Sequence, residues 1–368
     1  MDAETRTARI AKVQQGLAGA GLGLVALAPT DNLRWVLGFA PLYDERACLL
    51  LVTPTGVAML MPSLNAEQAR SEAPEIELVT WADDAGPATA LVAALERVGG
   101  TGAPTVGADS EMRADHLLLL QAAIEGASWE TAAAVMRPLR EIKEPGELEL
   151  LVASAHTADT AIEAAFAACR AGTSELEVAE IAAAAFREAG CQEVEFTIVA
   201  SGPNGAFPHH HTGARVLGEG DAIVLDFGGV LAGYPSDITR MAYVGTPSAR
   251  YREVHGIVDR AVQAAMAAAR PGVRCEEVDA AARAVIEQAG FGEYFVHRTG
   301  HGLGLSSHEP PWIARGETAL LREGMVHSIE PGIYLPGEFG VRLEEIVRIT
   351  ADGCERFSEL PRDLHATA

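Results

Sequence analysis

Apolar and polar positions along the first third of the chain follow short runs that predict strands interleaved with helices. The predicted helices cover residues 5–21 and 86–98, and the predicted strands cover residues 22–27, 47–53, 57–61 and 105–108. Gly21 closes the first helix, and Pro54–Gly56 form the turn of a hairpin. Strands that alternate with helices indicate an α/β domain.

A charged segment with two prolines, MRPLREIKEP, runs from Met136 to Pro145. Such a composition is typical of a connection between domains. The length of 368 residues also suits two domains. The sequence therefore predicts a first domain over residues 1–135 and a second over residues 136–368.

The second domain contains an internal repeat, in which residues 161–190 align without gaps on residues 261–290. Shared alanines carry little weight, because any two alanine-rich helices would share them. The residues that punctuate the helices coincide as well, in the pairs Arg170/Arg270, Gly172/Gly272, Glu177/Glu277 and Gly190/Gly290. Each copy therefore predicts two helices, the second of which is closed by a glycine.

The match continues, at an offset of 104, into two segments that predict β-hairpins with acidic residues. Asp226 in the first corresponds to Glu330 in the second, and each is followed by another acid, Asp237 or Glu344. A turn around Leu231–Gly233 would set the two aspartates side by side. If a pseudo-twofold axis relates the two halves, all four carboxylates face one another.

Four converging carboxylates need positive charge, because burying like charges is costly. A divalent metal ion is the obvious source. For either aspartate alone, beside glycine and serine, a turn-capping role is the more common one. The four acids taken together with the repeat favour a metal site.

Histidines lie close to these acids in the sequence. The stretch HRTGHGLGLSSHE contains His297, His301 and His308, and glycines on both sides of His301 allow close approach to a ligand. His209 lies in a turn-rich stretch, where its role stays open. We interpret His210 and His211, which follow it, as solvated loop residues.

Arg342 stands two residues before Glu344 and points to the same face of a strand. Orientation of the carboxylates and a surface ion pair are both open interpretations of this arginine.

Composition narrows the classes of function. A net charge of −23 argues against binding to nucleic acid and to anionic membranes, which require a basic surface. Five scattered cysteines without a CxxC pair indicate a reducing compartment and argue against a thiolate zinc site. The charged N-terminus and the short uncharged stretches predict a soluble, cytoplasmic protein. The sequence contains no P-loop and no serine-hydrolase elbow.

The motifs DFGGVLAGYPSDITR, HRTGHGLGLSSHE, SIEPGIY and GVRLEE, within residues 140–350, resemble those of the pita-bread metallopeptidase family. This family includes Xaa-Pro aminopeptidases, Xaa-Pro dipeptidases (prolidases) and methionine aminopeptidases. The resemblance implies two divalent metal ions with five ligands, Asp226, Asp237, His301, Glu330 and Glu344. Asp237 and Glu344 would bridge the ions, and Asp226 would bind one ion through both oxygens. Such ligands suit Mn²⁺, with Co²⁺ or Zn²⁺ as alternatives.

The same resemblance implies a catalytic set around the metal. His209, His297 and His308 match the substrate-facing histidines of the family, and Arg342 matches the arginine that lies behind its ligands. Glu330 would accept the proton of the attacking water and deliver it to the prolyl nitrogen. Glu345 stands where many relatives have aspartate and is not expected to bind metal.

The first third, with NLRWVLGF and DER before an apolar strand, resembles the creatinase N-terminal domain. Methionine aminopeptidases generally lack this domain, and creatinase keeps the fold without the metal ligands. The combination implies an α/β (α+β) protein, with a creatinase-like domain over residues 1–135 and a pita-bread domain with a pseudo-twofold repeat over residues 136–368.

The implied function is hydrolysis of Xaa-Pro bonds in dipeptides or short peptides by a homodimer or higher homo-oligomer. An Xaa-Pro aminopeptidase that acts on longer peptides is an alternative. A creatinase-like amidinohydrolase and a non-catalytic binding protein on the same fold are further alternatives.

Overall fold

A computed structural model describes residues 1–367, which fold into two compact units. The first unit runs from Met1 to Arg140, and the second begins at Glu141. The sequence-based boundary at 135/136 lies slightly earlier, inside a helix over Ala133–Glu141. This proline-containing segment is helical because Val135 and Met136 are buried, and their burial outweighs the unfavourable effect of a proline within the helix.

The first unit has the α/β organisation that the sequence predicts. Its helices are α1 (Ala3–Ala20), α2 (Asp31–Leu37), α3 (Ala66–Glu72), α4 (Ala88–Val98), α5 (Ala114–Ala123) and α6 (Ala133–Glu141). Its strands are β1 (Leu24–Leu27), β2 (Leu49–Val52), β3 (Val57–Pro62), β4 (Leu78–Trp81), β5 (Thr105–Ala108) and β6 (Ser128–Thr131). They form one sheet in the order β4-β3-β2-β1-β5-β6, parallel except where β2 pairs with β1 and β3.

Local sequence fixes the first helix of this unit. The Asp2 carboxylate caps α1 by accepting a hydrogen bond from Thr5 N, 2.8 Å away. Gly21 ends the helix in the left-handed region, with φ at 68°. The predicted hairpin forms as β2 and β3, whereas α2, α3, β4, α5 and β6 have no counterpart among the predicted elements.

The second unit combines two helix pairs with strands. Its helices are α7 (Pro145–Ala168), α8 (Glu175–Glu188), α9 (Ala249–Ala268) and α10 (Cys275–Gln288). Its strands are β7 (Glu193–Ser201), β8 (Ala222–Leu231), β9 (Tyr234–Pro235), β10 (Ile238–Val244), β11 (Gly300–Gly302), β12 (Glu309–Ile313), β13 (Val326–Ile329), β14 (Gly332–Leu335), β15 (Phe339–Arg342), β16 (Glu345–Ile349), β17 (Cys354–Arg356) and β18 (His365–Thr367). No helix within residues 1–367 is both long and apolar enough to cross a membrane.

Strands β8, β10, β13 and β16 contribute side chains to two apolar cores, one against each helix pair. One sheet has the order β18-β10-β8-β7, with β9 beside β8, and another has the order β12-β11-β13-β16-β17. One core joins α7 and α8 to β8, β10, β13 and β16 through side chains such as Leu225 and Ile346, and the second joins α9 and α10 to them through the neighbouring Val224 and Val347. Burial of these apolar faces therefore fixes the two halves in equivalent ways.

The backbone confirms the internal repeat. α8 and α10 have equal lengths and follow α7 and α9 at the same spacing. Gly172 and Gly272 both have positive φ values, of 94° and 83°. Their N–H groups donate to Leu217 O at 3.0 Å and to Leu321 O at 2.9 Å, so equivalent hydrogen bonds link each helix pair to its hairpin.

The first acidic hairpin forms as predicted. Ala232 and Gly233 make the turn between β8 and β9 with positive φ values of 50° and 85°, a combination typical of tight hairpin turns. Asp226 of β8 lies opposite Thr239 of β10, and Asp237 precedes β10. The two aspartates are thus neighbours on opposite arms.

The second acidic hairpin is interrupted. β13 pairs with β16, and the chain between them folds into a separate two-stranded sheet, β14–β15. Both pairings keep the same register, so Glu330 and Glu344, which lie in the gap between them, stand opposite each other. At the break in the ladder, the backbone N–H groups of Glu330 and Glu344 donate instead to Thr299 O at 2.8 Å and to Thr239 O at 3.3 Å.

Arg240 joins β10 to β16 and to the C-terminal segment. Its side chain is completely buried, and it donates to Glu345 Oε1 at 3.1 Å and to Ser358 Oγ at 2.9 Å. It also donates to the carbonyls of Glu344 at 2.5 Å and Leu360 at 2.7 Å. A single guanidinium therefore satisfies several buried acceptors from separate segments.

We predict that Arg240→Ala lowers the free energy of unfolding of the second unit by roughly 3–5 kcal/mol, because it removes one partner of a buried ion pair. Urea titration followed by circular dichroism measures the change. Arg348→Ala is the matched control, because Arg348 pairs with Glu355 at the surface. We expect this control to cost about 1 kcal/mol or less. Equal losses in the two variants would contradict the prediction.

Candidate functional site

The structure brings the four predicted acids to one cavity of about 440 Å³ in the second unit. Asp226 comes from β8, Asp237 from the start of β10, and Glu330 and Glu344 from the gap in the second hairpin. Asp226, Asp237 and Glu344 are buried, and Glu330 is partly exposed to the cavity.

These carboxylates are electrostatically unsatisfied. Burial, and then the charge of Glu344, raises the pKa of Asp237 well above its ordinary value. Burial, and then the charge of Glu330, raises the pKa of Glu344 in the same way. The buried atoms Asp226 Oδ1 and Glu344 Oε1 accept no hydrogen bond from residues 1–367. Free oxygen lone pairs in a cluster of acids suit a bound cation.

His301 of β11 aims one ring nitrogen at the acids. Its Nδ1 lies 3.1 Å from Gly302 O, and because a carbonyl can only accept, Nδ1 carries the proton. Its Nε2 therefore points to Glu330 Oε1, at 3.2 Å, and to Asp237 Oδ2, at 3.6 Å. Potential ligand atoms of Asp237, His301 and Glu344 all lie within 4.8 Å of one another. This arrangement fits a metal ion, since a backbone hydrogen bond commonly fixes the tautomer of a ligating histidine.

Glu330 is held in its ionised form. Burial alone would raise the pKa of Glu330, but the hydrogen bond and charge of His301 outweigh it and lower that pKa to about 2. Ser328 Oγ also donates to Glu330 Oε1 at 3.0 Å. This carboxylate is thus ionised at neutral pH.

Arg342 connects carboxylates from both halves of the repeat. Its Nη2 donates to Asp226 Oδ2 at 2.5 Å, and its Nε donates to Thr239 Oγ1 at 3.1 Å. The Thr239 hydroxyl donates in turn to Glu344 Oε2 at 2.8 Å. Arg342 is buried, so the surface ion pair that the sequence leaves open does not form.

His297 lines the cavity, but protein groups engage both of its nitrogens. Nδ1 donates to Arg298 O at 2.7 Å, so Nε2 accepts from the Tyr334 hydroxyl, 2.8 Å away. That hydroxyl accepts from Arg342 Nη1 at 2.9 Å. Burial lowers the pKa of His297 and raises the pKa of Tyr334 to about 12, so both are neutral near pH 7. Tyr334 is not among the predicted site residues, although it ends the SIEPGIY motif.

His209 and His308 lie at the exposed side of the cavity. The His308 ring centroid is 3.9 Å from that of His301. Burial, and then the charge of His301, lowers the pKa of His308 to about 4, so this ring is neutral at pH 7. Both side chains can therefore reach a ligand without losing a partner within the protein.

The interpretation of His210 as a solvated residue is wrong. Its Nε2 lies 3.0 Å from Glu175 Oε2, and its side chain is only 15% exposed. The loop turns its backbone so that His209 faces the cavity while His210 faces the protein interior. Nothing in the HHH run marks this difference, because the partner Glu175 is remote in sequence.

Other cavity residues lie outside the predicted set. Phe196 and Ile198 of β7 provide an apolar wall. The Arg298 guanidinium stacks on Trp312, 4.5 Å from the ring centroid, and forms no ion pair with a carboxylate of residues 1–367. Glu345 is absent from the lining, because neighbouring residues of an extended chain face opposite sides.

Two known domain families match successive parts of the chain. Residues 9–142 match the creatinase/prolidase N-terminal domain, and residues 149–351 match metallopeptidase family M24. These matches confirm the predicted family resemblance and the predicted combination of folds.

Whole-chain relatives agree with these matches. The chain is 40% identical to a probable dipeptidase, PepE, of Mycobacterium tuberculosis, over 99% of this chain and 97% of the relative. It is 32% identical to an Xaa-Pro dipeptidase of Pyrococcus horikoshii, over 97% and 98% of the respective chains. The crystal structure of dipeptidase PepE from Mycobacterium ulcerans matches with a TM-score of 0.94 and 36% identity, covering 100% of this chain and 99% of that one. The chain therefore belongs to metallopeptidase family M24 and begins with a creatinase/prolidase N-terminal domain.

Proposed function

We propose that this metallopeptidase hydrolyses the peptide bond before proline in Xaa-Pro dipeptides. The observation that carries the proposal is the buried group of four carboxylates around His301, whose free lone pairs suit metal ions. The similarity to an Xaa-Pro dipeptidase over nearly the whole chain supports the choice of substrate.

In this proposal, two divalent metal ions would be held by five side chains, Asp226, Asp237, His301, Glu330 and Glu344. Two divalent ions in such a site supply an activated water and polarise the scissile carbonyl. Carboxylate oxygens with one imidazole suit Mn²⁺, with Co²⁺ or Zn²⁺ as alternatives.

Different side chains of the protein transfer the proton and bind the substrate. Glu330 accepts the proton of the attacking water and passes it to the prolyl nitrogen, whose bond to the carbonyl carbon breaks. His308 and His209 donate hydrogen bonds to the carbonyl oxygen as negative charge develops on it. Arg342 orients Asp226 directly and Glu344 through Thr239. His297 faces the leaving-group side, where it holds the Tyr334 hydroxyl.

Arg298 favours dipeptides over longer peptides. The cavity is otherwise rich in acids, and the guanidinium has no carboxylate partner within residues 1–367. Stacking on Trp312 holds the side chain in place, which reduces the entropy lost on binding. We infer that it binds the carboxylate that a dipeptide carries next to the scissile bond.

We predict that chelation abolishes hydrolysis of Ala-Pro and that Mn²⁺ restores it, with two ions per chain by mass spectrometry. Since metal relieves carboxylate repulsion, Mn²⁺ at about 100 times its Kd should stabilise the folded state by about 2.7 kcal/mol for each ion bound, measured by urea titration. In the Asp237→Ala variant, Mn²⁺ should neither restore hydrolysis of Ala-Pro nor stabilise the folded state. Turnover of a guanidino substrate that survives chelation would instead favour a creatinase-like amidinohydrolase.

We predict that Glu330→Gln lowers kcat for Ala-Pro by about 10²–10⁴-fold, because an amide cannot accept the proton of the attacking water. The assay uses saturating Mn²⁺, and metal content is measured on the same sample. Glu338→Gln is the control, because Glu338 is exposed at the tip of the β14–β15 hairpin. A native rate in the metal-loaded Glu330→Gln variant would disprove the assignment.

We predict that the enzyme prefers Ala-Pro to Ala-Pro-amide and to Ala-Pro-Ala, and that Arg298→Met removes this preference by raising KM for Ala-Pro alone. A charge-assisted hydrogen bond is worth about 1.5–3 kcal/mol, so KM should rise roughly 10–150-fold. Arg298→Lys should retain part of the preference, and Arg315→Met, at an exposed arginine, should retain all of it. Equal effects on the acid and the amide would contradict the role of Arg298. A preference of the wild type for Ala-Pro-Ala would favour an aminopeptidase.

A further inference from the structure

We propose that Glu175, which lies outside the cavity, is a positioning residue for the reaction because it fixes the loop that carries His209. The proposal rests on the function proposed above. Glu175 is the first residue of α8, and its side chain is completely buried. The loop in question joins β7 to β8 and is called here the His209 loop, residues 201–213.

The Glu175 carboxylate binds both ends and the middle of the His209 loop. Oε1 accepts from Ser201 N at 2.8 Å, from Ser201 Oγ at 2.6 Å and from Asn204 Nδ2 at 2.9 Å. Oε2 accepts from His210 Nε2 at 3.0 Å and from Gly213 N at 3.3 Å. Five donors from one loop thus converge on one carboxylate.

These contacts hold the carboxylate in its charged form. Burial opposes that charge, but the hydrogen bonds from Ser201, Asn204 and His210 outweigh burial and lower the pKa of Glu175. Charge-assisted hydrogen bonds are stronger than neutral ones. The Glu175 carboxylate therefore fixes the His209 loop through strong hydrogen bonds, in addition to packing in the protein interior.

The part of the loop opposite this carboxylate forms the wall of the cavity. His209 lines the cavity, and its neighbour His210 binds Glu175. The carbonyl of Pro208 accepts from Arg342 Nη1 at 3.3 Å, so the same stretch also contacts the arginine that holds Asp226. The imidazole of His209 is thus placed by contacts to its two neighbouring residues, one on each side.

The second half of the repeat shows that the start of the helix does not require a carboxylate at this position. Cys275 occupies the equivalent position at the start of α10 and is also buried. The backbone N–H of Glu175 donates to Arg215 O at 2.9 Å, and that of Cys275 donates to Ala319 O at 2.9 Å. The helix starts alike with a thiol or a carboxylate, so the start of the helix does not itself depend on the five side-chain contacts of Glu175.

The test is a double-mutant cycle on the Mn²⁺-loaded full-length protein. We expect His209→Ala to lower kcat/KM for Ala-Pro by about 10²–10³-fold. Glu175→Gln keeps the size of the side chain but replaces one acceptor oxygen with an NH₂ group, and we expect a loss of up to about 100-fold through misplacement of His209. In the His209→Ala background, Glu175→Gln should then change kcat/KM by less than about threefold.

Cys275→Ala is the matched control at the equivalent position. It creates a small cavity, so any effect on kcat/KM should be the same factor with and without His209. If Glu175→Gln also acts by the same factor in both backgrounds, or leaves kcat/KM unchanged, the positioning role is wrong. If Glu175→Gln does not fold, His210→Ala, which removes one of the five donors, replaces it in the cycle with the same expected non-additivity.

A second measurement separates this proposal from the proposed substrate. Glu175→Gln should speed amide hydrogen exchange in residues 201–213 and leave exchange in α10 unchanged, with no substrate present. If the wild type hydrolyses no Xaa-Pro peptide, the proposed function fails, and the exchange result still decides whether Glu175 fixes the loop. If Glu175→Gln leaves amide exchange in residues 201–213 unchanged, Glu175 does not fix the His209 loop, even if the enzyme cleaves Ala-Pro.

Discussion

Mutual repulsion among buried carboxylates is the constraint on which the rest of the second unit depends. Asp226, Asp237, Glu330 and Glu344 meet where solvent screens them poorly, so the two hairpins can hold these positions only if positive charge lies among the acids or some of the acids take up protons. Arg342 supplies part of this charge from behind, and divalent ions suit the remaining lone pairs. Folding and metal affinity are therefore coupled in this unit.

The duplicated halves share a backbone but contribute different chemistry. The first half provides aspartates on a continuous hairpin, and the second provides glutamates in a gap of its ladder. Arg342 of the second half holds Asp226 of the first, so the halves are joined at the site as well as through their cores. Differences such as Glu175 and Cys275 at equivalent positions show where a common scaffold has been adapted to one side of the cavity.

The sequence predicts that the four acids meet at one cavity, because the repeat relates the two hairpins to each other. Alternation along an extended chain also accounts for Glu345, whose side chain points away from the cavity and toward Arg240. By contrast, the contacts of His210 with Glu175 and of Arg298 with Trp312 join positions that no periodicity links. The segment around Pro138 is helical because tertiary burial outweighs local preference, which a linear pattern cannot reveal.

The gap between the two ladders of the second hairpin also bears on how this chain can vary. Extra residues at the tip, between β14 and β15, leave every pair below them unchanged. One extra residue in either strand below the tip would turn its side chains to the opposite face and separate Glu330 from Glu344. Insertions in homologous chains are thus expected at the tip, where the hairpin can lengthen without moving either glutamate.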